Sequence, residues 1–522
     1  MTKEHNEQTA SVYIEVKPNL RVDKRTENRK NLGSAIPLAF YNALGIEKVI
    51  RNATDKLKNK YDMNSVFRLL VIERILNPKS MFSAFKNKNN YFFKSDFNET
   101  DMYRSQNILS QQKEKIVRSM NKGIKDLGFR KKSSEVFYDV TNYYFEIDSE
   151  TDLLRYGHGK ENKPNPIIQM GLLQDKNAIP ITYELFPGNT TDYETMLPVL
   201  NNLKLEYDLE KIIVVADKGN NTNENIAALV SSGNGFVLSQ SIRGKKSKKE
   251  LRDWVLNEDD YKHIGNDFKI KSKQDSKTIT LKGKNTHDGK THKVNIDVKI
   301  VAFWSKKYDI RAKKDRARTI EKAYELVESK SKYIHATHYG AAKYVDGLIF
   351  DKDTGEVKNT EMALTFNKNK LAQDEACDGY YCIITSEVNM SDENIIDTYR
   401  GLWQIEESFK ISKSDLSARP IYSTLEDHID THFLTCYVSL TILRLIQNSL
   451  RTNYSAAEIR DNLKKCSATL ADKNIWLFDH RDNLTDKLYE LIGKDPQYKW
   501  MYLNNIKKWF SKSVLPVRHK KL

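Results

Sequence analysis

Between about residues 36 and 128, apolar positions recur at helical spacing, as in the run Val66, Phe67, Leu69, Leu70, Ile72, Ile75 and Leu76, which Asn77-Pro78 stops. A second helical pattern follows Ser80. Two helices across a short turn can form a DNA-reading unit, but plain packing is the commoner use of such a pair and is the reading taken. From Glu135 the texture changes. EVFYDVTNYYFE is β-branched and aromatic, and PIIQMGLLQDKNAIPITYELF predicts two strands joined by a polar turn at Asp175–Asn177. There follow a helix over 192–203, the apolar strand IIVVA at 212–216, a helix capped near Thr222 that ends at Gly233, and the strand GFVLSQ. The order is three strands, helix, strand, helix, strand. Its fourth strand is apolar throughout, as expected of a strand buried on both faces of a mixed α/β sheet.

After Gln240 the composition shifts to SIRGKKSKKE, then to strand-like segments such as KVNIDVKIVAFW and a basic helix over about Lys313–Ser329, which together read as an inserted module. The strand GYYCIITSEV (379–388) comes next, and Ser391 caps a helix predicted to run to about Leu416, before Arg419-Pro420. From Ile421 onward the pattern is mostly helical. The chain's most apolar stretch, His432 to Gln447, carries Arg444 and several polar groups and is too short to span a membrane, so it predicts a buried core helix. A chain of 522 residues is too long for one compact core. The expected fold class is α/β, divided as a mainly helical region (1–130), a core sheet (131–240), a strand-rich insertion (241–390), the last part of the core (391–455) and a helical C-terminal region (456–522).

Charge and cysteine usage narrow the setting. There are 85 Lys and Arg against 70 Asp and Glu, a formal charge of +15, which favours polyanionic partners without naming a function. MTKEHNEQTASVYIEV has no apolar signal-peptide core, so an intracellular, cytoplasmic protein with no membrane partner is expected. Cys377, Cys382, Cys436 and Cys466 have no CxxC spacing, as in a reducing compartment without structural zinc.

Three acids carry the chemistry. In SDENIIDTYRGLWQIEESFKISKSDL an apolar stripe through Ile395, Tyr399, Leu402, Phe409 and Leu416 would pass through Glu406 and Lys413. A carboxylate on a core-facing stripe costs several kcal/mol unless it is paired or metal-bound, and the plain alternative is an ion pair with Lys410 or Lys413. Asp217 follows IIVVA directly, placing it at a strand's C-terminal end, where α/β sheets gather ligands. Asp139 lies inside EVFYDVT, where a charge needs either a ligand or an edge strand facing water. Carboxylate oxygens suit Mg²⁺ (or Mn²⁺), and two such ions can stabilise the attacking and leaving oxygens of a phosphodiester displacement.

The segment YRGLWQIEESFKISKSDLSARPIY resembles the Tyr-x-x-Arg-x-x-x-Glu-x-x-x-x-x-x-Lys signature of the bacterial insertion-sequence transposases typified by insertion sequence four, with Tyr399, Glu406 and Lys413 on its spacing. FYDVTNYYFE resembles that group's first-acid strand, VVADKGNNTNEN its second, and RYGHGKENKP a loop found in one branch. The resemblance covers about 134–425 and implies a DDE transposase. Its expected core is ribonuclease-H-like, with a strand-rich insertion before the last acid. Asp139, Asp217 and Glu406 would be catalytic and would hold two Mg²⁺ or Mn²⁺ ions. The partners implied are double-stranded DNA, both terminal inverted repeats and target, and a second copy in a homodimer. Residues 1–130 would bind the DNA ends and 456–522 would dimerise.

Leu402 occupies the signature's arginine position, and Arg400, two residues away, stands on another helix face. Tyr399, Lys413 and Arg400 are the candidates for contacts to DNA phosphates. His158 is a weaker candidate from its glycine-flanked loop. The basic runs 243–249 and 306–318 are candidates for tracking DNA, with solvated charge as their plain reading, and Trp304 and Trp403 could stack on a base but read first as core. Two rivals stand beside this reading. One is a transposase-derived DNA-binding protein without activity. The other is a nucleotide-cofactor enzyme such as a methyltransferase, for which the glycine-rich loop is missing.

Overall fold

The computed structural model describes residues 19, 21, 28–55, 57, 61–130, 135–146, 149–157, 165–200, 212–244, 248–281, 290–328, 339–347, 349–350, 357–358, 364–450, 452–511 and 515. At its centre is the alternating strand β1 (Glu135–Tyr144), which sends Phe137 and Tyr143 into one core and Val136, Tyr138 and Val140 into the other. β1 pairs antiparallel with β2 (Ile167–Asp175), and β2 with β3 (Pro180–Pro187). On its other side β1 runs parallel to β4 (Ile213–Ala216), which runs parallel to β5 (Gly235–Ser239). Parallel neighbours need a crossover, and α1 (Asp192–Leu200) and α2 (Asn223–Ser231) lie in the two connections. β4 is buried along its whole length, and the Thr222 side chain caps α2 as expected.

The sheet does not stop at β5. The stretch read as an insertion supplies β6 (Lys262–Ile264), the long hairpin β7 (Phe268–Leu281) and β8 (His292–Ser305), and then, after the basic helix α3 (Lys306–Glu328), β9 (Tyr380–Thr385). β9 pairs with both β5 and β8, giving the order β3-β2-β1-β4-β5-β9-β8-β7-β6, nine strands among the described residues. One hydrogen-bonded ladder therefore joins the first two acids' strands to the hairpin.

The helix predicted from Ser391 to Leu416 is broken in two. Ser391 caps α4 (Asp392–Arg400), the chain turns at Gly401–Leu402, α5 (Trp403–Lys410) follows, and Ile411–Asp415 close as a π-turn. The turn has a steric cause. A Cβ on residue 401 would stand 2.5 Å from Phe137 Cζ, so only glycine lets the chain press onto β1 there.

The C-terminal region is also less helical than its pattern suggested. Ser467–Asp472, Ile475–Phe478 and Trp500–Tyr502 form a four-stranded sheet with Arg29–Asn31. These segments are too short for a period of 2.0 to be told from one of 3.6. Helix Met63–Leu76 is buried on nearly every side, as plain packing requires.

The apolar run around His432 forms α6 (Glu426–Leu450), the one described helix long and apolar enough to cross a membrane. Its most apolar window is 89% buried in the protein, as a core helix's would be. Tyr143 packs edge-on to Phe433 at 5.0 Å, and Tyr183 lies 4.9 Å from Tyr437, which fixes α6 against the sheet.

His432 on α6 is partly buried. Its Nε2 sits 2.9 Å from the Ala418 carbonyl and its Nδ1 3.5 Å from Arg74 Nη2, so Nε2–H donates and Nδ1 accepts, the neutral tautomer. Burial, reinforced by the Arg74 charge, lowers its pKa to about 3. The unfolded chain then takes up a proton near pH 6.5 that the folded chain refuses. The stability contributed is complete above pH 6.5 and is lost as the pH falls towards 3, by up to about 1.4 kcal/mol per pH unit. Denaturant melts between pH 7.5 and 5 should show that decline, and His432→Gln should flatten it; equal slopes for both proteins would refute the role.

Candidate active site

Asp139 lies in the middle of β1, half-buried, opposite Leu172 of β2 and with β4 on the other side. A central strand rules out the water-facing edge position. One carboxylate oxygen accepts from Val140 N at 2.8 Å. Asp217 is exposed at the C-terminal end of β4, where its side chain caps a short 3₁₀ turn by accepting from Gly219 N at 2.8 Å.

The register brings these two together. β1 and β4 pair Glu135 with Ile213, Val136 with Val214 and Phe137 with Val215, and a continuation of the parallel ladder by two residues beyond its last pair would set Asp139 level with Asp217. Level residues on neighbouring parallel strands point to the same face, about 4.8 Å apart. Phe137 and Val215 both belong to the core beneath α5, and the two aspartates follow them on that face.

α5 lies over the same strand. Gly401 presses on Phe137 at one end; at the other, Lys413 Nζ donates to Thr141 Oγ1 at 2.7 Å and the Tyr143 hydroxyl meets Ser412 Oγ at 2.9 Å. Glu406 lies between these anchors in sequence, as Asp139 lies between Phe137 and Thr141. The fit of α5 to the sheet depends on Arg444 of α6, 4% exposed. Its Nε and Nη2 donate to Ser408 Oγ at 3.2 and 2.9 Å, Nη2 also to the Gln404 carbonyl at 3.1 Å, and Nη1 pairs with Glu407 at 3.2 Å. Ser408 Oγ in turn donates to Gln174 Oε1 of β2 at 2.8 Å. Burial lowers the Arg444 pKa, which the Glu407 charge opposes.

Glu406 itself overturns the reasoning that selected it. It is exposed, because the break at Gly401 re-registers the helix so that Ile405, Ser408 and Phe409 form the buried face of α5. The acid that meets a buried charge is Glu407. The plain alternative fails as well, since Glu406 makes no ion pair with Lys410 or Lys413 among the described residues. Trp403, at the same face one turn earlier, is 59% exposed and is not core, whereas Trp304 is held by its Nε1–H donating to the Asp378 carbonyl at 3.1 Å.

Tyr399 is half-buried, close to the Ser239 side chain and within electrostatic reach of Asp217. Burial pushes its pKa up to about 12, so it stays a hydrogen-bond donor throughout the neutral range. Arg400 stacks over Phe268 and Phe303, at 5.1 and 5.9 Å, and pairs with Asp397 at 3.4 Å. Leu402 packs against the core beneath α5. His158 and residues 245–247 of the first basic run lie outside the described residues. In the second run Arg316 is buried against Asp378 rather than solvated, while Arg311, Lys313, Lys314 and Arg318 are exposed.

Among the described residues no three His, Cys, Asp or Glu side chains gather tightly enough to enclose a metal ion. Carboxylate oxygens are the donors a hard cation takes, and Asp139 and Asp217 each carry them.

The family profile for the transposase DDE domain matches residues 146–442, more than half of the chain. The matched span includes Asp217, Tyr399, Glu406 and Lys413 and begins just after Asp139. No curated protein matches the chain.

The anchoring of α5 is testable by itself. Arg444→Met should cost about 3 kcal/mol, the low end for breaking a buried ion pair because Glu407 is partly solvated. Urea unfolding measures this; a loss under about 0.5 kcal/mol, the size of an ordinary surface substitution, would show that α5 does not depend on the guanidinium.

Proposed function

Because the chain belongs to the transposase DDE family, we propose that it cuts DNA at the ends of its own element and joins those ends to target DNA, with Asp139, Asp217 and Glu406 as the catalytic acids. The observation that supports this reading is the parallel β1–β4 register, whose last pair, Phe137 with Val215, stands two residues before each aspartate on strands covered by the helix that bears Glu406. Three antiparallel strands followed by two parallel ones, with helices in the connections, support a ribonuclease-H-like core.

Asp139 and Asp217 would hold two Mg²⁺ or Mn²⁺ ions, with Glu406 as the third acid. When bound, such ions neutralise charge on the attacking and leaving oxygens of an in-line displacement and lower the pKa of water. The chain's own groups then orient the DNA. Lys413, held at Thr141 two residues (about 6.6 Å) along β1 from Asp139, puts an ammonium beside the scissile phosphate. Tyr399 offers a neutral hydroxyl to the backbone near Asp217, and Arg400 a phosphate contact from its aromatic shelf. With leucine at 402 in place of the expected arginine, the phosphate grip in this scheme is weighted towards Lys413. The first attack is by water and the second by the freed 3′-hydroxyl, so no nucleophilic side chain is required. The helical residues before 131 would bind the ends, and 456–522 would join two copies.

With Mg²⁺ or Mn²⁺, the purified protein is expected to nick DNA carrying its terminal inverted repeats and to join those ends to a second DNA. Asp139→Ala, Asp217→Ala and Glu406→Gln should each lower nicking by more than about a hundredfold, beyond the usual loss for a residue that merely supports a metal ligand. End binding in EDTA should remain near wild type. Full nicking by all three variants would sink the assignment, and binding without nicking by the wild type would point to a DNA-binding protein that has lost activity.

A further inference from the structure

Besides Asp217, Tyr399 lies within electrostatic reach of Tyr308 and Tyr381. The rings of those two tyrosines are 4.9 Å apart, and they line a polar cavity of about 460 Å³. Four cations from three segments complete it: Arg243 after β5, Arg311 and Arg316 on α3, and Lys343.

Buried acids hold three of these cations. Asp378, 2% exposed, accepts from both terminal nitrogens of Arg316 and from Arg243 Nη2 at 3.3 Å. It can stand there because Gly379 has φ +75°, and a Cβ at 379 would lie 2.4 Å from Trp304 Nε1. Asp374, 9% exposed, accepts from Lys343 Nζ at 2.8 Å and from the Tyr344 hydroxyl at 2.9 Å. Arg311 is different. Its side chain is 78% exposed and meets Asp315 only through Nε, at 3.8 Å, among the described residues.

A structural ion-pair network would fill the space between its charges. These charges instead surround a cavity with an aromatic wall, and the half-exposed Lys343 and the exposed Arg311 keep donors for a ligand. Cations already oriented by acids lose little entropy on binding an anion. The geometry points to a phosphate pocket, in which Arg311 and Lys343, supported by Arg243 and Arg316, take a backbone phosphate of a DNA strand that leads from the acids past Tyr399. The inference rests on the DNA-cutting reading above and extends its contact surface to α3.

The test is the salt dependence of binding to a short duplex of arbitrary sequence, in EDTA so that catalysis plays no part. Arg311→Ala and Lys343→Ala should each flatten the slope of log K against log [KCl] by about one, and the double variant by about two. Arg311→Lys should restore the slope, and Lys473→Ala, in the distant C-terminal hairpin, should leave it unchanged. Arg311→Gln gives the same comparison should the alanine variant melt early. Unchanged slopes in the variants, with wild-type binding and nicking intact, would overturn the pocket and spare the function. Failure of the wild type to bind duplex DNA would overturn both. Displacement of the duplex by micromolar ATP but not by inorganic phosphate, with variant slopes unchanged, would mark a free-nucleotide site and overturn the DNA assignment.

Discussion

A guanidinium taken out of water has to be met by fixed acceptors, and Arg444 is met by three residues of α5 across one interface. It reaches Gln404, Glu407 and Ser408 on α5 from the core helix α6, and Ser408 passes the contact to Gln174 of β2. Helix, core and sheet are therefore locked at one point. The position of every polar group on α5 relative to β1 follows from it, because a slide or rotation of α5 would strand the buried charge. Gly401 against Phe137 and Lys413 on Thr141 set the two ends of the same segment.

The second constraint is the parallel pairing of β1 with β4. An antiparallel partner would reverse the strand and carry Asp217 to the far end of the sheet. With parallel pairing, an acid in mid-strand and an acid just past a strand end arrive at the same height. The sheet then continues through β5 and β9 into the β7–β8 hairpin, so the site and the cationic cavity share one rigid platform.

Much of this was legible in the residues. The alternation in EVFYDVTNYY, the unbroken IIVVA and the caps at Thr222 and Ser391 all appear where the pattern put them. Asp139 and Asp217 were legible because a charge inside or at the end of an apolar strand is conspicuous. Glu406 was selected on a faulty premise: a continuous helix from 391 to 416 would have buried it, and the chain breaks that helix. The sign of the break was Gly401, but a glycine in a helical pattern does not say what presses against it. Trp403 was misread for the same reason. The C-terminal sheet was missed because its strands are too short to show a period and one partner, Arg29–Asn31, comes from the other end of the chain.

The sequence by itself determined the identity and order of the strands from β1 to β5 and the buried character of α6, since these depend on local periodicity and residue type. Tertiary structure decided what depends on distant chain segments meeting: the level of Asp139 with Asp217, the break at Gly401, the burial of Arg444 and the grouping of Arg243, Arg311, Arg316 and Lys343 around one cavity. Hydrophobic pattern states which face of an element is buried, but not which neighbour buries it, at what register, or which polar group is left facing another.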